Sequence, residues 1–77
     1  MKNVTIYTTP SCVYCKMAKA FFAEKKMAYT EYDVVTDLKA RATMVQKSGQ
    51  LGVPVIEVGD VVIVGFNKEA LEHALGV

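Results

Sequence analysis

Cys12 and Cys15, two residues apart at the seam between a strand-like and a helix-like run, constrain this chain more than any other feature. Val4-Thr5-Ile6-Tyr7 reads as a strand, and Pro10, which cannot donate to a sheet ladder, ends it within Thr9-Pro10-Ser11. Beyond the turn, Tyr14, Met17, Ala18, Phe21 and Phe22 recur at i, i+3, i+4, i+7 and i+8, the spacing of one helix face. Cys12 therefore falls at the first turn of a helix, where unpaired backbone N–H groups and the helix dipole favour an anion. A thiolate is stabilised there, and the thiolate is the attacking form of cysteine. The residues point to Cys12 as nucleophile and Cys15 as its resolving partner. Lys16, beside the pair, is a candidate for tuning the thiol pKa with its charge; the competing reading is a surface lysine.

The chain has 77 residues, enough for one small domain spanning 1–77, and its 52% hydrophobic content suffices for a core. Nine basic and eight acidic residues give a net charge of +1, so nucleic acid and membrane surfaces are not expected partners. Lys16, Lys19, Lys25 and Lys26 read as a solvated helix face. No charged-then-apolar leader is apparent, and no apolar run approaches the ~18 residues of a membrane span. The expectation is a soluble, monomeric, cytoplasmic protein. Two cysteines in such a chain read as redox-active or metal-binding, not as the framework of a secreted mini-protein. One Cys-x-x-Cys supplies only two ligands, so no metal is expected in a single chain. A module in which two chains share an iron–sulfur cluster or metal is the rival reading. His73, on the last helix, is expected to be exposed and without a chemical role.

The element order reads strand, helix, strand, helix, strand, strand, helix, an α/β fold. The first strand is expected over Met1–Thr8, the first helix over Cys12–Lys26 and the second strand over Tyr29–Val34, with Glu31 and Asp33 on a solvent-facing edge. Thr36 or Asp37 caps a second helix to Ser48, with Leu38, Arg41, Ala42 and Val45 inward and Gly49 as its terminator. Val53–Val58 and Val61–Val64 flank Gly59-Asp60, a two-residue hairpin signal. Asn67 caps a last helix with Ala70, Leu71, Ala74 and Leu75 inward. The first half is a βαβ unit, hence parallel; the second adds an antiparallel hairpin and a covering helix.

Ile6-Tyr7-Thr8, Cys12-Val13-Tyr14-Cys15, Val53-Pro54 and Gly65-Phe66 together resemble a glutaredoxin-type redoxin of the thioredoxin superfamily. The resemblance implies the minimal thioredoxin fold: a four-stranded mixed sheet flanked by three helices. It implies a cis bond before Pro54, which would face the cysteines and leave the Val53 backbone free to pair with an extended substrate. It implies a substrate groove drawn from Tyr14, Val53, Pro54, Gly65 and Phe66. Tyr14 could instead cover the first helix turn, Phe66 could belong to the core, and Gly65 most simply permits close backbone approach. The absence of Trp argues against a thioredoxin proper. Thr9 and Val13 stand where glutathione-using members usually carry Lys and Pro, and Val64-Gly65-Phe66-Asn67-Lys68 replaces their Gly-Gly-acidic run. Val13 and Gly65-Phe66 are nearer the NrdH redoxins that serve ribonucleotide reductase, whereas Tyr14 is a glutaredoxin habit. The activity implied is thiol–disulfide exchange on protein disulfides through a Cys12–Cys15 redox disulfide, with no bound cofactor. Electrons would come from glutathione, or from NADPH through thioredoxin reductase.

Overall fold

The computed structural model describes residues 3–76. Its elements are β1 (Val4–Thr8), α1 (Val13–Glu24), β2 (Thr30–Asp33), α2 (Leu38–Ser48), β3 (Val55–Val58), β4 (Val61–Val64) and α3 (Lys68–Leu75). The four strands form one mixed sheet in the order β2-β1-β3-β4. β1 pairs parallel with β2, placing Ile6 beside Glu31, and antiparallel with β3, placing Tyr7 opposite Val55. β3 and β4 close a hairpin in which Val58 pairs with Val61 across Gly59-Asp60. The minimal thioredoxin architecture implied by the motifs is thus present, with β2 and β4 as the edge strands. The expected start of β1 at Met1 lies outside the described residues.

Alternation along the inner strands sends side chains to two faces. Val4, Ile6, Ile56, Val58 and Ile63 pack with Ala18, Phe21 and Phe22 of α1 and with Leu71 and Ala74 of α3. Tyr7 and Val55 pack on the opposite face with Val34 and with Ala40 and Met44 of α2. Each helix is capped from a side chain at its N-terminus: Cys12 for α1, Asp37 for α2 and Asn67 for α3. α2 and α3 end at Gly49 and Gly76, both in the left-handed region.

Two helix faces differ from the sequence expectation. In α2 the buried residues are Ala40 and Met44, while Leu38 is 68% exposed and Arg41 and Ala42 are exposed. Only Val45 of the expected face is partly buried. Two stripes compete on this weakly apolar helix, and Met44, long and unbranched, is the side chain that fills the gap over Tyr7 and Val55. In α1 the buried stripe is Cys15, Ala18, Phe21 and Phe22, with Tyr14 and Met17 exposed. Tyr14 lies in the first turn, past the end of the sheet, whereas Cys15 tucks under the loop from Thr9. α3 follows expectation, and His73 is exposed.

Core position should therefore decide stability. Phe22→Ala, at a side chain with no exposure, should cost about 3–5 kcal/mol. Asp37→Ala, which removes a cap hydrogen bond of 3.0 Å to the Ala40 N–H, should cost about 1 kcal/mol. Leu38→Ala should change stability by no more than about 0.5 kcal/mol. Denaturant titration of the three variants measures each.

Candidate active site

β1 sits between β2 and β3, so its C-terminal end at Thr8 is held on both sides. The chain turns there, with the Cys12 N–H donating to the Thr9 carbonyl at 3.3 Å. Cys12 keeps extended backbone, φ −86° and ψ 113°, while its carbonyl accepts the Lys16 N–H at 3.3 Å as the first bond of α1. Its sulfur takes the capping position usually held by a Ser or Asp oxygen. The Cys15 N–H donates to Cys12 Sγ at 3.1 Å. A backbone donor is thus aimed at the sulfur from the first turn of the helix.

The two cysteines are unlike. Both are free thiols, but Cys12 is partly exposed and Cys15 is 1% exposed. Burial first, and the hydrogen bond with Cys12 second, push the Cys15 thiol up to about 12. A hydrogen bond with the Thr9 backbone and the positive charge of Lys19 pull the other way. Lys16 is exposed; the lysine whose charge reaches the Cys15 thiol is Lys19, one turn along α1. Among the described residues, no group of three or more His, Cys, Asp or Glu side chains gathers where a metal could be held.

The remaining predicted residues fall around this end of the sheet, with different exposures. Val13 and Tyr14 are 65% and 62% exposed beside Cys12. The Val53–Pro54 bond is cis, and Pro54 is fully buried one step beyond the Tyr7–Val55 pair, where β1 runs out towards Cys12. β3 begins only at Val55, later than the Val53 start expected. Val53 is partly buried, and among the described residues none hydrogen-bonds to its backbone. The Gly65 N–H donates to the Pro54 carbonyl at 2.8 Å, tying two motifs distant in sequence. Gly65 adopts φ +81°, and a Cβ there would meet no atom within 4 Å. Backbone conformation therefore accounts for this glycine, not close packing of the chain against it. Phe66 packs on the core, its ring edge-on to Phe21 at 6.2 Å.

Three residues given no chemical role in the sequence, Thr8, Lys19 and Glu31, are joined by hydrogen bonds, and the charge of Lys19 reaches Cys15. Glu31, read as a plain solvent-facing edge residue, accepts from Lys19 Nζ at 2.9 Å and from Thr8 Oγ1 at 2.8 Å through one carboxylate oxygen. Those two bonds, Lys19's first, hold its carboxyl below the usual range. The i+4 spacing of Lys19 from Cys15 and the parallel β1–α1–β2 unit were visible in the sequence; the register that sets Glu31 beside Ile6, within reach of Thr8 and Lys19, was not.

Residues 4–63 match the Glutaredoxin family model. A glutaredoxin-like 8.6 kDa protein from the rubredoxin operon of Clostridium pasteurianum is 39% identical over 72 residues, which cover 94% of this chain and 96% of that one. Glutaredoxin 3 of Escherichia coli K12 is 38% identical over 56 residues, covering 73% of this chain and 68% of that protein. A solved structure of NrdH-redoxin from Escherichia coli superposes with a TM-score of 0.82 at 25% identity, covering 92% of each chain. With a dithiol at a strand-to-helix seam, a cis proline at the facing strand and a family match over most of its length, this chain belongs to the glutaredoxin family of thiol–disulfide oxidoreductases.

Proposed function

We propose that this protein reduces protein disulfides by a mixed-disulfide mechanism in which Cys12 attacks and Cys15 resolves. The observation that carries this reading is the asymmetry of the pair: a partly exposed sulfur capped by a backbone N–H, beside a buried thiol. Cys12 thiolate attacks one sulfur of a substrate disulfide; a Cys12–substrate bond forms, the substrate S–S bond breaks, and the departing thiolate takes a proton. Cys15 then loses its proton and attacks Cys12 Sγ. The mixed disulfide breaks, the substrate leaves with two electrons, and the Cys12–Cys15 disulfide remains for a donor to reduce. Once Cys12 is bonded to substrate it no longer holds the Cys15 proton by charge or strong hydrogen bond. The Thr9 backbone and Lys19, which favour the Cys15 thiolate, are then less opposed. Resolution is thus restrained until a substrate is engaged.

The unpaired Val53 backbone supports a substrate laid alongside it as an extra strand, and exposed Val13 and Tyr14 support an apolar contact surface for a protein client. Likeness to glutaredoxin 3 favours glutathione as the electron donor. Thr9, Val13 and Lys68, together with the likeness to NrdH-redoxin, favour thioredoxin reductase and a ribonucleotide reductase client.

Cys12→Ser should abolish disulfide reduction, and Cys15→Ser should accumulate the mixed disulfide, seen as a mass adduct; full activity of Cys12→Ser would refute the assignment. Iodoacetamide at neutral pH should label Cys12 alone, with Cys15 labelled only after unfolding. Because burial, the largest cause of the raised Cys15 thiol, persists when Cys12 is bonded to substrate, the second step should quicken as pH rises through the neutral and alkaline range, where the thiolate fraction grows. Reduction of the oxidised protein by glutathione with its reductase, run beside NADPH with thioredoxin reductase, identifies the donor: turnover with one and not the other assigns it.

A further inference from the structure

The resolving step requires a thiolate from Cys15, the group that the fold makes hardest to ionise. Among the described residues, the groups that act on the Cys15 sulfur are Cys12 at the helix start, the Thr9 backbone in the loop, and Lys19 on α1. Lys19 is the only side-chain cation among them. A lysine on a helix surface ordinarily samples many rotamers in water, and its charge is correspondingly diffuse. Lys19 does not have that freedom. Its Nζ lies 2.9 Å from Glu31 Oε2 on β2, and that same oxygen accepts the Thr8 hydroxyl at 2.8 Å. Thr8, the last residue of β1, is 2% exposed. Tyr29 is the other titratable group, besides Glu31 and Cys15, that Lys19 faces.

We propose that Thr8, Glu31 and Lys19 form a positioning chain that holds a positive charge beside Cys15 and thereby speeds resolution of the mixed disulfide. The proposal rests on the exchange reading above and assigns no contact with substrate to these residues. Thr8 anchors the carboxylate from inside the sheet, and the carboxylate orients the ammonium. As a stability element the Lys19–Glu31 pair would be worth little, since both side chains are about one-third exposed. Its location one turn from the resolving cysteine gives it a kinetic role instead. The charge matters most after Cys12 is bonded to substrate, when the negative sulfur that opposed Cys15 ionisation is gone.

The test is rapid mixing of the reduced protein with 2,2′-dipyridyl disulfide, a neutral probe that Lys19 cannot attract by charge. The first thiopyridone released reports attack by Cys12, and the second reports resolution by Cys15. Lys19→Met should slow the second phase about threefold to tenfold at neutral pH, the range expected of a half-screened charge, and move its pH midpoint upward. The first phase and the thermal midpoint should stay as in the wild type, and Lys19→Arg should restore the second phase. Added salt should shrink the difference between wild type and Lys19→Met. Glu31→Ala should slow the second phase in the same direction by releasing Lys19 to solvent. A wild-type second phase and pH midpoint in Lys19→Met would overturn the proposal. A faster second phase in Glu31→Ala would also overturn it, by showing that the carboxylate merely neutralises the lysine. Release of only one thiopyridone per wild-type molecule would instead refute the exchange reading itself, so the two failures are distinct.

Discussion

The hydrogen bond from the Cys15 N–H to the Cys12 sulfur joins the start of a helix to the reactive atom of the site. All three helices are capped in the same way, from a side chain to the N–H three residues on. Asp37 and Asn67 use oxygen, at 3.0 and 3.1 Å, and Cys12 uses sulfur. A helix start must satisfy its free N–H groups, and here one of those groups is spent on the Cys12 sulfur. The geometry that ends β1, turns at Thr9 and begins α1 is therefore the same geometry that presents this hydrogen-bonded sulfur. It also carries Cys15 inward, because three residues along a helix is most of a turn. One sulfur faces out and the other lies beneath it.

The rest of the molecule holds that seam in place. β1 has a neighbour on each side and a packed layer on each face, with Ile6 against α1 and α3 and Tyr7 against α2. A strand so enclosed gives its last residue, Thr8, a defined position, and Thr8 is where the polar cluster with Glu31 and Lys19 begins. The β3–β4 hairpin brings Pro54 to the same end of the sheet and ties it to Gly65 by a 2.8 Å backbone bond. Rigid scaffold and exposed rim are thus divided cleanly: Pro54 and Cys15 are buried, and Val13 and Tyr14 stand in solvent.

Much of this was legible from local pattern. The Cys-x-x-Cys seam, the hairpin at Gly59-Asp60, the caps at Asp37 and Asn67 and the terminator at Gly49 each depend on a few adjacent residues, and each is found. The cis bond at Pro54 came from resemblance and is likewise present. Readings that needed a neighbour from elsewhere fared less well. Leu38 looked inward on periodicity, yet the gap over Tyr7 and Val55 is filled by Met44. Tyr14 lies in the first turn of α1 but is 62% exposed. Gly65 looked like a site of close approach and proves to be a requirement of φ +81°. Glu31 is exposed on an edge strand as expected, yet it carries two hydrogen bonds that its sequence position did not announce.

The amino-acid sequence by itself determined the chemistry and the order of elements, because a thiol pair, its helix-start position and the alternation of strands and helices are properties of short stretches. The tertiary structure alone decided how deeply Cys15 is buried, which lysine faces the buried thiol, and which carboxylate holds that lysine. Those facts depend on β1 lying between β2 and β3 and on α1 crossing the same face as Glu31. Desolvation and charge act through space, and distance in space is what strand pairing sets and sequence spacing does not.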